Sequence, residues 1–365
     1  MTFAAAPLSP RDIHRIEQHA AAADAVRWLH PVQQALLHRR GWLRMLAPRA
    51  LGGAELPLPQ VVRLEEAVAA IDGSMGWVLT LCAGAGWFAG FMPADVAGGI
   101  VATRRVCVGG SGAPTGYADA DGDGYRISGR WDYASGAPMA THFTLNAVLR
   151  EGGQVLTDAA GAPRIRAFIV PAAQVDIVPS WRSVGLRATA SHSYRIDGQW
   201  VGSGHGFAID AAHATAGGPL YRFPFYSLAF VTLAANVAGM AAHFLRLARP
   251  AMSRRRHAIL GQPLLDVPAV QDLLRSLETA YAAARGHFYE ILDRSWDSLC
   301  AGTPVSSDAA AAMQAASLAL VAISRKAVDE LYPYCGLYAA AEDSEINRVW
   351  RDLHTATQHT LLLPI

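Results

Sequence analysis

Two runs of this chain contain no charged side chain, Gly73 to Ala94 and Phe223 to Leu245. Each is long enough to cross a bilayer, so an apolar helix built from it must lie either in lipid or inside a large protein. The first run is punctuated by Gly73, Gly76, Gly84, Gly86 and Gly90, the second by Pro224, Asn236, Gly239 and His243. Neither has a strongly basic flank on one side only, which would mark an oriented membrane span. Both are read as helices buried on all sides, partly by a neighbouring subunit, and no membrane is expected as a partner. Such helices need a big core around them. With 365 residues, 52% of them hydrophobic and 17% charged, the chain can supply it.

Around those runs the local pattern changes twice. Ser9-Pro10 opens a helix, serine as N-cap and proline at the first helical position. Helical spacing continues through Ile13, Ile16 and Ala20 and again from Val32 to Leu46. Leu51-Gly52-Gly53 breaks it, Pro59 to Ala70 resumes it, and Asp72-Gly73-Ser74 starts the first charge-free helix. From Arg104 the chain reads as short strands: Val106 to Val108, Tyr125 to Trp131, Phe143 to Leu149, Ile165 to Val170, Val175 to Val178 and Ser193 to Trp200. Asp119 to Gly124 reads as a turn cluster. After Ala211 come four helices, Tyr226 to Arg249, Val267 to Trp296, Ser307 to Leu331 and Ser344 to Thr360. Their breaks fall at Gly261-Gln262-Pro263, Gly302-Thr303-Pro304 and Tyr332-Pro333. The expected fold is α+β and mostly helical. It comprises an N-terminal helical domain over 1–103, a small β-barrel or sandwich over 104–210, and a C-terminal four-helix bundle over 211–365.

Charge excludes some functions. The net charge is +1, from 31 basic and 30 acidic residues, so nothing draws the chain to nucleic acid or to an anionic surface. Cys82, Cys107, Cys300 and Cys335 have no zinc spacing and read as reduced, mostly buried thiols in a cytoplasmic protein. No basic segment followed by an apolar run opens the chain, so no leader is expected. Gly109-Gly110-Ser111-Gly112 reads as a loop, since no glycine-rich nucleotide fingerprint follows a strand.

The last helix holds the densest chemistry. Ile346, Val349, Leu353 and Ala356 form an apolar stripe, and Arg351, Asp352, His354 and His359 crowd around it. Histidine exchanges protons near neutral pH, and His359 is read as facing a reaction chamber. His354, five residues earlier and so about 140° around a helix, is read as structural.

Several stretches, in order, resemble the acyl-CoA dehydrogenase superfamily. Leu51-Gly52-Gly53-Ala54-Glu55 with Glu65-Glu66 and Asp72-Gly73-Ser74 is similar to its N-terminal signature. Gly124 to Gly136, with Trp131 and Ser135, is similar to its flavin-facing strand and loop, and Gly185 to Ser191 to its second β-domain signature. Gly261-Gln262-Pro263-Leu264 with Gln271 resembles the start of a bundle helix. Dehydrogenases of that family commonly carry a glutamate base just beyond an Arg-Asp pair. Counted from Arg351-Asp352, that place is Thr360, and no Asp or Glu follows Asp352. Arg351-Asp352 with His354 and His359 instead resembles the flavin-dependent monooxygenase branch, which includes the oxygenase components of 4-hydroxyphenylacetate hydroxylase and dibenzothiophene monooxygenase. The resemblance implies a homotetramer that takes reduced FAD or FMN, with FAD slightly favoured, from a separate flavin reductase. It also implies reaction with O₂ through a C4a-hydroperoxyflavin, to hydroxylate a small aromatic or related apolar substrate.

That chemistry requires exclusion of water, a donor near the flavin N5 and the peroxide, for which Ser135 is the candidate, and an acid or base. The resemblance places Ser135 at the flavin-facing hydroxyl; the other reading is a loop serine bonding its own backbone beside Gly136. His359 would take a phenolic proton or protonate the peroxide; the other reading is a structural histidine at a helix end. Trp131, Arg187, Thr189 and Ser191 are the implied flavin contacts, arginine suiting a phosphate, while Trp131 alone reads as β-domain core. His192 touches flavin or substrate, or lies at the surface. Two departures stand out. No histidine lies between Ser74 and Pro93, where related monooxygenases often have one, and the arginine of FAD users falls at His257, beside Arg256. Two other readings compete: a flavin dehydrogenase or desaturase with a non-CoA substrate, and a catalytically inactive relative acting as a binding subunit. Oxygen chemistry separates the first from the oxygenase, and flavin binding separates the second.

Overall fold

A computed structural model describes residues 8–363. The expectation of no leader rests in part on residues 1–7 and so lies outside them. Helix α1 (Pro10–Val26) starts on a capping box, the Ser9 hydroxyl accepting from the Asp12 amide and the Asp12 carboxylate from the Ser9 amide. Helix α2 (Pro31–Arg39) is shorter than its spacing suggested, because Gly41 takes a left-handed φ of 67° and a 3₁₀ turn, Trp42–Arg44, follows. Then come α3 (Leu58–Ala69), α4 (Gly73–Trp87) and α5 (Ala94–Ala102). The Asp72 carboxylate caps α4 by accepting from the amides of Ser74 and Met75. The first charge-free run is therefore not one helix: α4 stops at Trp87 and a 3₁₀ turn carries the chain to Phe91.

The middle of the chain forms one mixed sheet. Its strands are β1 (Val108–Gly110), β2 (Gly116–Asp121), β3 (Gly124–Ala134), β4 (His142–Glu151), β5 (Gln154–Val155), β6 (Ile165–Pro171), β7 (Asp176–Val178), β8 (His192–Gly202) and β9 (Gly206–Phe207). The hydrogen-bonded order is β7-β8-β3-β2-β4-β6-β9, with β1 and β5 also on β4. Strand β2 corrects the turn expected over Asp119 to Gly124. Ala118 points into the core, Asp119 pairs with Arg126 across β3, and only Gly122 and Asp123 turn. Trp131, Phe143, Phe168 and Tyr194 fill the sheet's own core and are fully buried.

The C-terminal unit is α6 (Phe225–Ser253), α7 (Pro268–Cys300), α8 (Ser307–Cys335), a short α9 (Leu337–Ala340) and α10 (Glu345–Ala356). Pro333 lies inside the last turn of α8 and does not stop the helix where expected. Helix α10 ends at Ala356, four residues before the expected Thr360. His359 is therefore not helical; it caps the 3₁₀ turn Thr360–Leu362. The charge-free helices do pack inside: 72% of the apolar stretch ending at Phe91 and 83% of that in α6 is buried. A methyl on Gly239 would stand 2.3 Å from the Glu66 carbonyl oxygen, so α6 crosses α3 backbone to backbone. Beside that crossing, Arg285 of α7 grips the Glu66 carboxylate at 2.5 and 2.7 Å, and the Tyr289 hydroxyl donates to it at 2.5 Å.

Candidate active site

Three hydroxyls are brought together where β3 ends and β8 begins. Ser135 follows β3, while Thr189 and Ser191 sit on the turn before β8. Leu186 (φ 48°) and Ala190 (φ 44°) bracket that turn in left-handed backbone that non-glycine residues rarely adopt. All three hydroxyls are buried. Thr189 Oγ1 donates to the Leu186 carbonyl at 2.8 Å, so its proton is spent. Ser191, 2.7 Å away, must then donate to Thr189, and Ser135, 2.8 Å further on, must donate to Ser191. The chain of donors runs one way. Ser135 ends with its proton committed and its oxygen lone pairs available, so it is an acceptor and not the donor expected of it. The Gly136 amide, donating to the Thr189 carbonyl at 2.8 Å, locks the two loops together.

Helix α4 forms the opposite wall. The Cys82 thiol reaches the Ser135 carbonyl at 3.5 Å, and a methyl on Gly136 would come within 3.0 Å of that sulfur and 3.4 Å of Val78. His359 meets the same helix through Trp77, ring edge to face at 6.0 Å. Trp77 and Cys82 are five residues apart, about 140° around the helix, so Ser135 and His359 meet different faces of α4. The face of Trp77 continues through Leu81, Gly84, Ala85 and Phe88, and Leu81, Gly84 and Ala85 are the α4 residues left partly exposed. A methyl on Gly84 would meet nothing within 4 Å. Leu81, Gly84 and Ala85 thus form an uncharged, apolar and partly exposed strip of α4, the floor of the candidate cleft.

His359 enters this cleft as a neutral donor. Its Nδ1 accepts from the Leu361 amide at 3.3 Å, which leaves the proton on Nε2. Burial holds its pKa below the usual histidine value. The Arg351-Asp352 pair does not touch the cleft; it fastens α10 to the loop that carries the hydroxyls. Arg351 donates to Asn347, the Val184 carbonyl and Asp24 at 2.8, 2.6 and 2.9 Å, and Asp352 accepts from the Leu186 amide at 2.5 Å. The fit is so close that a methyl on Gly185 would overlap the Arg351 carbonyl oxygen at 1.9 Å.

Other expected contacts are placed elsewhere. Trp131 is wholly inside the β-core, stacked on Tyr194 at 5.5 Å with its indole N–H donating to the Asn146 carbonyl, so it has no face for a ligand. Arg187 is held by Glu342 at 2.8 Å and lies 3.7 Å from Asp24, which removes it as a phosphate ligand. His192 accepts from the amides of Ser180 and Trp181 and serves the backbone. His354 pairs with Asp329 at 2.9 Å and packs on Trp350, the structural role expected of it. His257 caps a turn by accepting from the amides of Ile259 and Leu260, and Arg256 closes that turn on the Gly261 carbonyl. Sequence reasoning missed Trp77, Cys82 and Asp24. Only Asp24 left a signal, an acid next to the apolar stripe of Ile16, Ala20 and Ala23.

Comparison with known proteins bears on the family and the fold. Residues 231–364 match the family described as acyl-CoA dehydrogenase, C-terminal domain. The chain is 27% identical over 330 residues to an indole-3-acetate monooxygenase of Pseudomonas putida, covering 88% of this chain and 81% of the relative. It is 25% identical over 361 residues to the flavin-dependent monooxygenase oxygenase subunit HsaA of Mycobacterium tuberculosis, covering 94% and 88%. Among solved structures, XiaF from Streptomyces sp., in complex with FADH2 and glycerol, superposes with a TM-score of 0.88 at 20% identity, covering 96% of this chain and 89% of that one. At that identity the likeness speaks for the fold alone.

Proposed function

We propose that this chain, an acyl-CoA dehydrogenase-like flavin-dependent oxidoreductase whose relatives are monooxygenases, is the oxygenase component of a two-component system. The observation that carries the reading is that one apolar helix, α4, is met by both a neutral imidazole donor, at Trp77, and the residue of an acceptor hydroxyl, at Cys82, with no carboxylate base after Asp352.

The residues present fit the edge of an uncharged ring system. Ser135, Ser191 and Thr189 form a buried wall without charge, and Gly84 leaves room beside the helix. Ser135 would hold reduced flavin by accepting from its N5–H, a donor that oxidised flavin lacks. Reduced flavin, when bound, would supply the two electrons that activate O₂, one of whose oxygen atoms goes to the substrate and the other to water. His359 keeps a proton at Nε2 and can donate it to an oxygen brought into the cleft. Leu81, Ala85 and Phe88 keep water from that oxygen, and the Arg351-Asp352 fastening fixes the hydroxyl loop in place. The donor geometry favours the acid half of the role expected of His359.

The substrate class that suits this floor is a small uncharged aromatic, such as indole or a simple phenol. FAD is the favoured flavin, supported by the FADH2 complex of XiaF, and a separate reductase is the partner, as the term oxygenase subunit implies for HsaA. The protein works in the cytoplasm as a homotetramer. Support for assembly comes from exposed Ile259, Leu260, Leu337 and Tyr338, on two segments tied together by Arg255, which donates to the carbonyls of Pro333 and Tyr334.

Anaerobic titration with reduced and oxidised FAD and FMN tests the reading. Reduced flavin is expected to bind more tightly. Failure to bind either form would favour the inactive relative, and substrate oxidation without oxygen incorporation would favour the dehydrogenase.

A further inference from the structure

Away from the cleft, the junction between the helical and β units lies against the turn Gly41–Arg44. Together they line a half-open cavity of about 260 Å³, with Arg104 and Arg105 exposed at its mouth. Its lining holds the guanidiniums of Arg44, Arg104 and Arg105 and the His38 imidazole, and no carboxylate is among the described residues that line it. Leu37, Leu43 and Val106 complete its walls. Arg105 takes left-handed backbone (φ 57°). Burial, with the Arg105 and Arg44 guanidiniums adding to it, brings the His38 pKa down to about 4. The groups facing this imidazole are thus cations from both sides of the cavity. Arg104 and Arg105 are adjacent like charges that repel, and an oxyanion beside both converts that repulsion into attraction. Guanidiniums match phosphate oxygens in pairs, which a point charge does not.

We propose that this cavity binds a phosphate group, either the free ion or a phosphate monoester. It is smaller than the roughly 300–1,000 Å³ of pockets that enclose drug-sized ligands, so it takes a phosphate head and not an isoalloxazine ring. A bound anion would brace the back of the active-site wall. The turn Gly41–Arg44 supports α4 from behind, where a methyl on Gly86 would touch the Leu43 carbonyl oxygen at 3.1 Å. The site is independent of the oxygenase reading.

The test uses the full-length protein at pH 7. Inorganic phosphate, glycerol 3-phosphate and sodium chloride are titrated at matched ionic strength, with Tm and the His38 imidazole C–H resonance as readouts. A saturable rise in Tm with a phosphate, absent with chloride, is expected. Its midpoint should weaken roughly tenfold in Arg104→Gln and in Arg105→Gln but not in Arg275→Gln, a change on an exposed face of α7. The His38 pKa should move up from its low value when the anion is bound, because a nearby negative charge favours imidazolium. A response to inorganic phosphate assigns a free-ion site, and a response to the ester alone assigns a site that reads the ester; both sustain the proposal. A phosphate effect no larger than that of chloride overturns it. So does an effect unchanged in both junction variants, or a His38 resonance that phosphate leaves unmoved, a readout that needs no variant to fold.

Discussion

Ser135 has no proton to give, because the Leu186 carbonyl takes the Thr189 proton and the two serines fall into line behind it. Thr189→Val removes the end of that line and frees both serines to turn. Reduced flavin should then bind about tenfold more weakly, while oxidised flavin should bind as well as before or better. Anaerobic titration of both redox forms checks this, and equal losses for the two would deny the directional role. His359 makes a pH claim. Its pKa is lowered by burial, so the neutral imidazole persists below pH 6.5 and charges only in more acidic solution. The ratio of hydroxylated product to H₂O₂ should stay flat from pH 7 to 9 and change only in acid, and this acid limb should vanish in His359→Gln. Little of this residue-level detail was legible. The family-like serine, threonine and histidine could be picked out, but the direction of a hydrogen-bond chain depends on a carbonyl that no sequence pattern places. Trp131 misled for the opposite reason: a motif position next to a binding loop can still point into the core.

At the scale of elements, the fastening of α10 to the Val184–Leu186 loop makes stability depend on pH. Burial, with Asp24 and Asp72 nearby, pushes the Asp352 pKa up to about 7 from its ordinary 3.8. Between roughly pH 4 and 7 the folded chain keeps a proton that the unfolded chain releases, so this group makes stability fall as pH rises through that window. Asp352→Asn keeps a neutral acceptor for the Leu186 amide. It should flatten Tm against pH over that range; an unchanged slope would remove Asp352 as the cause. Gly239→Ala tests the crossing of α6 and α3. The added methyl would meet the Glu66 carbonyl oxygen, the Ala69 methyl and the Ala70 amide nitrogen, all within 3 Å, and a loss of about 1–3 kcal/mol is expected by denaturant unfolding. Helix positions were readable here because glycine, proline and apolar spacing are local signals. Strand β2 was not, because Asp119 and Asp121 look like turn residues until β3 pairs with them, and the end of α10 was hidden because nothing between Ala356 and His359 is a helix breaker.

For the whole molecule, the order of helices, sheet and bundle followed from two changes of periodicity, and the charge-free runs found their covering within the chain. Helix α8 did not: only 33% of its apolar stretch is buried. With Ile259 and Leu337 about 90% exposed, the molecule has surface left for its own copies. Light scattering should report a homotetramer, and Ile259→Asp with Leu337→Asp should give a smaller species with the fold intact; a monomeric wild type would contradict this. The account's central claim is oxygen transfer, and isotope labelling tests it most directly. Protein loaded anaerobically with reduced FAD and mixed with ¹⁸O₂ and a small aromatic such as indole or phenol should yield product carrying one labelled oxygen atom. In His359→Ala, flavin oxidation should continue while the label goes to H₂O₂. Product without label, or labelled product at undiminished yield from the variant, would contradict the account.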